Sequence, residues 1–394
     1  MRVHSPYRLV IALFVALAIG TPWPSVAQQP IRIGASLSLT GGYASFGSYA
    51  REGYLLCKKQ VNEKGGALGR PIEFVIYDDG SEPQTAVRLY EKLISEDKVD
   101  ALLGPYSTPI VDAVANVTEK HRKLMIASMA ATSSLWEKGR RYLIMVLSPF
   151  EALSEGLMEV AARNGLKTIA LVNEDAIVPM TVVKGALESA KKRGFDVVLH
   201  EVYPKGTTDF AVILNKVKAA KPDVLVLGAL PDDAVVFTRQ LKELDINVKM
   251  FNSTPGGLLP EYYKQLGNAA EFVYSGSWWE RGLTYPGNHE FVESYEREYS
   301  RAPVFHSADT YVACQLLVGA VRRVGSLDSD KIREEILKLR TKTLLGDFAV
   351  DERGFQVGHK AVTIQWQDGK QVVVWPDEVA AGKPRFPAPP WSGR

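Results

Sequence analysis

Apolar and polar residues alternate along the first third of the chain with two different periods. Apolar positions at every second residue predict a strand at 31–39, and a mainly apolar run predicts another at 72–77. Apolar residues at helical spacing follow each strand, at 50–61 and at 82–96. This alternation of strands and helices predicts a parallel sheet with helices on both faces.

The same pattern begins again near Ser148-Pro149. Further strands and helices alternate from there, with strands predicted at 168–172, 197–202, 224–228 and 248–252 and helices at 181–193, 209–220 and 232–244. The chain is therefore predicted to form two α/β units of similar architecture, which its length of 394 residues also favours.

The last third of the chain is predicted to hold three helices, a hairpin and a tail. The pattern places helices at 289–299, 307–324 and 328–338 and strands at 348–350, 362–367 and 371–374. Asp368-Gly369 between the last two strands is typical of a hairpin turn. The Pro-rich tail, residues 380–394, is expected to be loosely ordered.

Two polar turns in the stretch 102–134 form the clearest candidate binding site. The first, 104–108, follows an apolar strand and ends on Thr108, which is predicted to cap a helix with Pro109 at its first position. The second, 130–134, follows the strand predicted at 124–127. Free N–H groups and hydroxyls at two neighbouring strand ends predict a site for a small anion such as a carboxylate. For either turn alone, simple helix capping is the alternative.

Composition and charge narrow the class of protein. The chain is 46% hydrophobic and 23% charged with a net charge of +2, and its basic residues are scattered, so no nucleic-acid-binding surface is indicated. An apolar run at 9–19 follows basic residues and precedes Ser25-Val26-Ala27, which is typical of a secretory signal peptide cleaved after Ala27. The mature chain is therefore expected to be a soluble periplasmic protein that is not embedded in the membrane.

Export leaves the state of the two cysteines open. Cys57 and Cys314 both fall within helical patterns. An oxidising compartment permits a disulfide between them, and two buried free thiols are the alternative.

The sequence carries no recognisable catalytic constellation. The loop 42–47 has the spacing of a phosphate loop, but Ser48-Tyr49 stand where Lys-Ser/Thr would be required. The histidines lack metal-ligand spacing. Asp78 and Asp79 are adjacent on a predicted strand and so point to opposite faces, which argues against a shared acid–base site. No enzymatic activity, cofactor or metal is therefore predicted. His306, just before a helix, is open to either a ligand contact or a structural role.

Four stretches together resemble a known family. TGGYASFG at 40–47, GGALGRPIEFVIYDD at 65–79, LLGPYST at 102–108 and GALPDD at 228–233 are similar in order and spacing to the type I periplasmic binding proteins. More closely, residues 31–375 resemble the branched-chain amino acid (Leu/Ile/Val) binding proteins of ABC transporters. Some members of this wider family bind aromatic carboxylates, and the chain also resembles those members.

The resemblance implies two doubly wound parallel-sheet lobes joined by three crossing strands, with a ligand cleft between them. One lobe would hold residues 28–148 and 277–343, and the other 149–276 and 344–379. The ligand carboxylate would be held after the third strand by Tyr106, Ser107 and Thr108. A second cluster would be Ala130, Ala131 and Thr132, with its register open by one residue, and the aromatic of the first loop would be Phe46.

Three positions depart from the family's pattern. Val178 and Leu230 stand where the family has aromatic contacts, and Thr254 lies in the stretch 252–256 where the family has an acid that pairs with the ligand's α-ammonium. This stretch has no Asp or Glu, and a buried ammonium without a carboxylate partner is strongly disfavoured. Of the adjacent Trp278 and Trp279, one is expected to face the cleft, and we predict Trp278.

These inferences predict a solute-binding protein of an ABC importer. Closure of the two lobes would capture a small carboxylate, aromatic or apolar and without an α-ammonium group, for delivery to a permease. The chain is expected to act as a monomer. The alternatives are a branched-chain or other amino acid as the ligand, or a soluble ligand sensor of the same fold.

Overall fold

The computed structural model of the protein describes residues 1–2 and 29–394. The predicted signal peptide, apart from its first two residues, and its cleavage position lie outside the described residues. In the described part of the chain, no helix is both long enough and apolar enough to cross a membrane.

The first sheet is fully parallel and has five strands in the order β2-β1-β3-β4-β5. Its strands are β1 (Ile31–Leu37), β2 (Ile72–Asp78), β3 (Ala101–Leu103), β4 (Met125–Ala127) and β5 (Leu143–Met145). The helices between them are α1 (Ala44–Glu63), α2 (Pro83–Ser95) and α3 (Thr108–Lys120). The three central strands are buried at every position except Arg32, which is half-buried, because helices cover both faces.

The second sheet has seven strands in the order β14-β13-β10-β9-β8-β6-β7. Its parallel part consists of β6 (Thr168–Glu174), β7 (Asp196–Tyr203), β8 (Val224–Ala229), β9 (Met250–Pro255) and β10 (Val273–Ser277). The helices around it are α4 (Glu155–Arg163), α5 (Ile177–Lys192), α6 (Ala211–Ala220), α7 (Pro231–Glu243) and α8 (Pro260–Leu266). Helix α5 starts four residues earlier than predicted, because a proline such as Pro179 is tolerated in a helix's first turn.

The C-terminal third supplies three helices and completes the second sheet. Helices α9 (Asn288–Tyr299), α10 (Phe305–Val324) and α11 (Ser329–Lys338) precede the short pair β11 (Thr341–Thr343) and β12 (Gly346–Phe348), and β13 (Val362–Gln367) and β14 (Lys370–Trp375) follow. The last two strands are antiparallel, so the second sheet is parallel with an antiparallel edge. Positive φ angles at Asp368 (52°) and Gly369 (75°) form the predicted hairpin turn.

Two parallel α/β sheets in one chain confirm the predicted fold class. The first sheet draws its strands from residues 31–145, and the second from 168–277 and 362–375. The finer lobe limits at 148, 277 and 343 stay predictions. The chain passes between the sheets near Ser148, near Trp278 and again between α11 and β13.

Helices α1 and α10 lie against each other beside the first sheet. Gly53 permits this close approach, because a Cβ atom there would lie 2.2 Å from the carbonyl oxygen of Ser307. Cys57 of α1 and Cys314 of α10, both buried, form a disulfide with their Cα atoms 6.3 Å apart. Of the two states that the sequence left open, the structure has the disulfide.

The expectation of a loosely ordered tail is wrong. The Trp391 ring is buried, and its Nε1 donates a hydrogen bond of 2.9 Å to the carbonyl oxygen of Ile246. The backbone N–H of Ala388 donates to the carbonyl oxygen of Lys249 at 3.0 Å. One large aromatic ring and these backbone contacts anchor the tail to the second α/β unit, which its proline content alone did not indicate.

Candidate functional site

A cavity lies between the two units where the chain leaves the ends of their strands. Seven of the eleven residues predicted for the binding site line it: Phe46, Tyr106, Ser107, Thr108, Ala131, Val178 and Trp278. The first turn of α1, the turns after β3 and β4, the first turn of α5 and the crossing after β10 supply these side chains. The structure thus brings together positions that are far apart in sequence at the strand ends of two α/β sheets, where such folds bind ligands.

The turn after β3 presents hydroxyls and the start of a helix to this cavity. Ser107, rather than the predicted Thr108, is the N-cap of α3, with an extended backbone (φ −130°, ψ −165°). Thr108 is the first helical residue and Pro109 the second. The helix therefore begins one residue earlier than predicted, and the Thr108 side chain is free to contact Thr132.

The hydroxyls of Ser107 and Thr108 differ in whether they have a hydrogen-bond partner. The Ser107 Oγ is buried and has no hydrogen-bond partner. The Thr108 Oγ1 lies 3.2 Å from Thr132 Oγ1, which belongs to the turn after β4. The two predicted turns therefore meet, and an unsatisfied hydroxyl lies where a ligand oxygen could accept a hydrogen bond.

Four predicted site residues do not line the cavity. Ala130 is fully buried behind it, and Thr132 reaches it only through Thr108. Leu230 precedes α7 and is half-buried. Thr254 is buried, and its Oγ1 accepts a hydrogen bond of 3.0 Å from the Gly276 N–H, which connects β9 to β10.

Aromatic rings form much of the remaining wall. Phe46 stacks on Tyr106 with ring centroids 4.9 Å apart, and the Phe150 ring meets the Trp278 ring edge-on at 4.9 Å. Phe305 lies 5.7 Å from Trp278, measured between ring centroids. Such a wall suits a flat apolar ligand, because aromatic rings prefer stacked or edge-to-face neighbours.

The two adjacent tryptophans face different surroundings, as expected for consecutive residues that leave a strand. Trp278 lines the cavity, and its Nε1 donates a 2.7 Å hydrogen bond to the carbonyl oxygen of Ser148. Trp279 packs edge-on against Phe291 and donates from Nε1 to Asn288 Oδ1 at 2.6 Å. Only the first of the pair is therefore placed to contact a ligand in this cavity.

Six further residues line the cavity that sequence reasoning did not assign to it: Met129, Leu147, Phe150, Pro255, Phe305 and His306. Met129 and Leu147 each lie two residues beyond the end of a parallel strand, a position that was a usable signal. Phe305 and His306 open α10, and only ring contacts identify them: Phe305 lies against Trp278, and His306 lies against Phe46 and Tyr106. His306 was left open between a ligand contact and a structural role, and the structure places it in the wall.

The described wall of this cavity contains no Asp, Glu, Lys or Arg. Just behind it, Asp309 Oδ2 lies 3.5 Å from His306 Nδ1, and both side chains are buried. Burial raises the pKa of Asp309 well above its usual range and lowers the pKa of His306 to about 3, so both shifts favour uncharged forms. Nowhere in the described chain do three or more His, Cys, Asp or Glu side chains converge as a metal site would require.

A cavity between two parallel-sheet units defines a class of two-lobed ligand-binding protein, and the comparison with known proteins agrees. Residues 30–371 match the model of a family described as periplasmic binding protein. The chain belongs to this family, which confirms the type I periplasmic binding protein resemblance.

Individual relatives are distant but cover nearly the whole chain. Leu/Ile/Val-binding protein homolog 7 of Brucella suis is 25% identical over 397 residues, covering 96% of this chain and 99% of the relative. The leucine binding protein LivK of Thermotoga maritima superposes with a TM-score of 0.79 at 23% identity, covering 89% of this chain and 100% of that one. An ABC transporter solute binding protein of R. palustris, solved in complex with benzoate, has a TM-score of 0.77 at 21% identity, covering 90% and 99%.

Proposed function

We propose that this protein is the periplasmic substrate-binding component of an ABC importer and that it captures a small aromatic or apolar carboxylate without an α-ammonium group. One observation carries this proposal: the cavity combines hydroxyls at a helix N-terminus with aromatic walls, and its described lining has no acid. An anion is favoured at a helix N-terminus, whereas an ammonium would have no carboxylate partner.

The proposed binding mode follows from this wall. Ser107 and Thr108, supported by Thr132, receive the carboxylate with the N–H groups of the α3 terminus. Phe46 and Tyr106 on one side and Trp278 on the other enclose the apolar part of the ligand. Ala131 lines the cavity beside them, and Ala130, Leu230 and Thr254 shape the surrounding turns without lining it.

Capture by closure explains why residues from both units meet around so small a site. The ligand docks on the first unit (residues 28–148 and 277–343), and the second unit (149–276 and 344–379) closes over it by rotation at the crossings. Closure excludes water and so strengthens each polar contact. The closed monomer then delivers its ligand to the permease, a transport role and not a catalytic one, after export to the periplasm and signal-peptide cleavage after Ala27.

A branched-chain amino acid is the second candidate ligand, because the chain is similar to a leucine binding protein and to a Leu/Ile/Val-binding homologue. The two ligand classes differ in the ammonium group. Leucine therefore needs an acid in the wall, whereas the described lining has none, and burial raises the pKa of Asp309 behind the wall well above its usual range.

A thermal-shift panel on the mature protein tests the proposal. Benzoate and small apolar acids such as 4-methylvalerate, the leucine skeleton without its ammonium group, are compared with leucine and isoleucine. A ligand that binds only the folded state raises the melting temperature, by an amount that follows its dissociation constant. We expect stabilisation by the simple acids. Stabilisation by leucine alone would replace the proposed ligand by the second candidate.

A further inference from the structure

His306 and Asp309 form an isolated buried polar pair at the edge of the cavity. They lie three residues apart at the start of α10, on one face of the helix. Their exposed fractions are 3% and 0%. His306 Nδ1 and both Asp309 carboxyl oxygens have no hydrogen-bond partner, and Nδ1 to Oδ2 is 3.5 Å. A small rotation closes this gap, so each group is the other's natural partner.

Among the described residues, no other charged side chain forms an ion pair with His306 or Asp309. The His306 ring contacts the rings of Phe46, Tyr106 and Phe305, with centroids 5.1, 5.0 and 4.1 Å away. Burial raises the pKa of the Tyr54 hydroxyl, and Asp309 also lies close enough to raise it. That hydroxyl donates a hydrogen bond of 3.1 Å to the carbonyl oxygen of Gly104. In the described chain, no Lys or Arg forms an ion pair with Asp309.

This isolation restricts where protons can reside. A buried carboxylate with no cation beside it is costly, so the pair keeps a net charge of zero. Either Asp309 is protonated and donates to Nδ1, which leaves the ring proton on Nε2, or Asp309 is ionised beside an imidazolium with both nitrogens protonated. The remaining neutral form, in which Nδ1–H faces a protonated acid, leaves the acid's proton without an acceptor. Both satisfied forms carry a proton on Nε2.

We propose that Asp309 is a positioning residue that fixes His306 as an Nε2–H donor, and that this donor joins Ser107 and Thr108 in receiving the ligand's carboxylate. The inference rests on the proposed function, since it takes the ligand to be a carboxylate. Because His306 lines the cavity and its Nδ1 faces Asp309, Nε2 is the ring nitrogen left for the ligand. The specificity that follows is for an ionised acid over its amide, whose NH₂ group would meet a donor.

Isothermal titration of benzoate and of benzamide against matched variants tests this. Asp309→Asn keeps a side-chain donor toward Nδ1, whereas Asp309→Leu removes it at similar volume. His306→Gln keeps an N–H donor, and His306→Leu has none. We expect His306→Leu and Asp309→Leu to weaken benzoate binding about tenfold or more while changing benzamide binding little, because a hydrogen bond to a charged group is lost. The Asn and Gln variants should stay within about threefold of the wild type.

A second readout reports the proton directly. Nitrogen-15 NMR of the ligand-free protein should show the His306 proton on Nε2, and Asp309→Leu should mix the two ring tautomers. Melting temperatures of all four variants control for folding.

The outcomes separate this inference from the proposed function. If the wild type binds benzoate and both leucine variants bind it equally well, the inference is wrong and the proposed function stands. An Nε2 without a proton in the NMR spectrum would also overturn the inference alone. A wild type that binds no carboxylate overturns the proposed function and this inference together.

Discussion

The backbone N–H of Ser148 donates a hydrogen bond of 2.9 Å to Nδ1 of His359. Because Nδ1 is an acceptor, the neutral ring carries its proton on Nε2, which donates to the carbonyl oxygen of Trp278 at 3.1 Å. Trp278 in turn donates from its indole to the carbonyl oxygen of Ser148. One buried histidine thus joins all three passages of the chain between the two units, and one of them carries a cavity-lining ring.

Replacement of His359 by leucine should destabilise the protein. The variant leaves the Ser148 N–H and the Trp278 carbonyl without partners, and each unsatisfied buried group costs about 1–3 kcal/mol. We expect the free energy of unfolding from urea titration to fall by about 2–4 kcal/mol. His289→Leu is the matched control, because the His289 side chain is 80% exposed. Equal stability of His359→Leu and the wild type would show that this connection contributes nothing.

The contribution of His359 should also depend on pH. Burial lowers its folded-state pKa to about 4, below the unfolded value of about 6.5. A group whose folded pKa is depressed stabilises the fold fully above its unfolded pKa and loses that contribution as pH falls toward the folded pKa. The stability difference between the wild type and His359→Leu should therefore shrink by about 1.4 kcal/mol per pH unit from pH 6.5 down to 4.

The pH dependence is measured as a difference between the wild type and His359→Leu because other buried groups also titrate. Asp309 and Glu280 are acids whose pKa burial raises, Glu280 to about 8, and their contributions to stability change with the opposite sign over the same range. These contributions cancel in the difference, provided that the substitution leaves them unchanged. A difference that stays constant from pH 7 to 4 would contradict the depressed pKa of His359.

Much of the fold could be predicted from the sequence because hydrophobic periodicity is a local signal. The helix predicted at 328–338 and the strand at 362–367 lie within a residue of the observed α11 and β13. The antiparallel pairing of β13 with β10 could not be predicted, because it joins residues some ninety positions apart and depends on tertiary packing. The anchored tail was missed for the same reason, since Trp391 contacts residues far from it in sequence.

The site was less predictable than the fold. The turn at 104–108 has a local signature of hydroxyl and proline, and it does line the cavity. His306 and Phe305 carry no such signature, because their place in the wall depends on how α10 packs against α1. The partnership of His359 with Ser148 spans more than two hundred residues and has no signal in the sequence at all.

Removal of the disulfide should lower stability with little effect on binding. Cys57 and Cys314 are 257 residues apart in sequence, so the cross-link strongly restricts the unfolded chain. We expect the double variant Cys57→Ala, Cys314→Ala to lose about 2–5 kcal/mol of unfolding free energy in urea titrations. Benzoate affinity should stay within about threefold, because neither cysteine lines the cavity. Reactive thiols in the denatured, unreduced wild type would contradict the bond itself.

Loss of one hydroxyl at the cavity should weaken binding of carboxylates selectively. Thr108→Val keeps the shape of the side chain and removes the oxygen that lies 3.2 Å from Thr132 Oγ1. If that hydroxyl donates to the ligand, benzoate affinity measured by calorimetry should fall about tenfold, while the melting temperature of the ligand-free protein changes by only a few degrees. Thr341→Val, at an exposed position of β11, is the control for loss of a threonine hydroxyl. Unchanged benzoate affinity in Thr108→Val, with the wild type binding benzoate, would move the carboxylate subsite away from the α3 terminus.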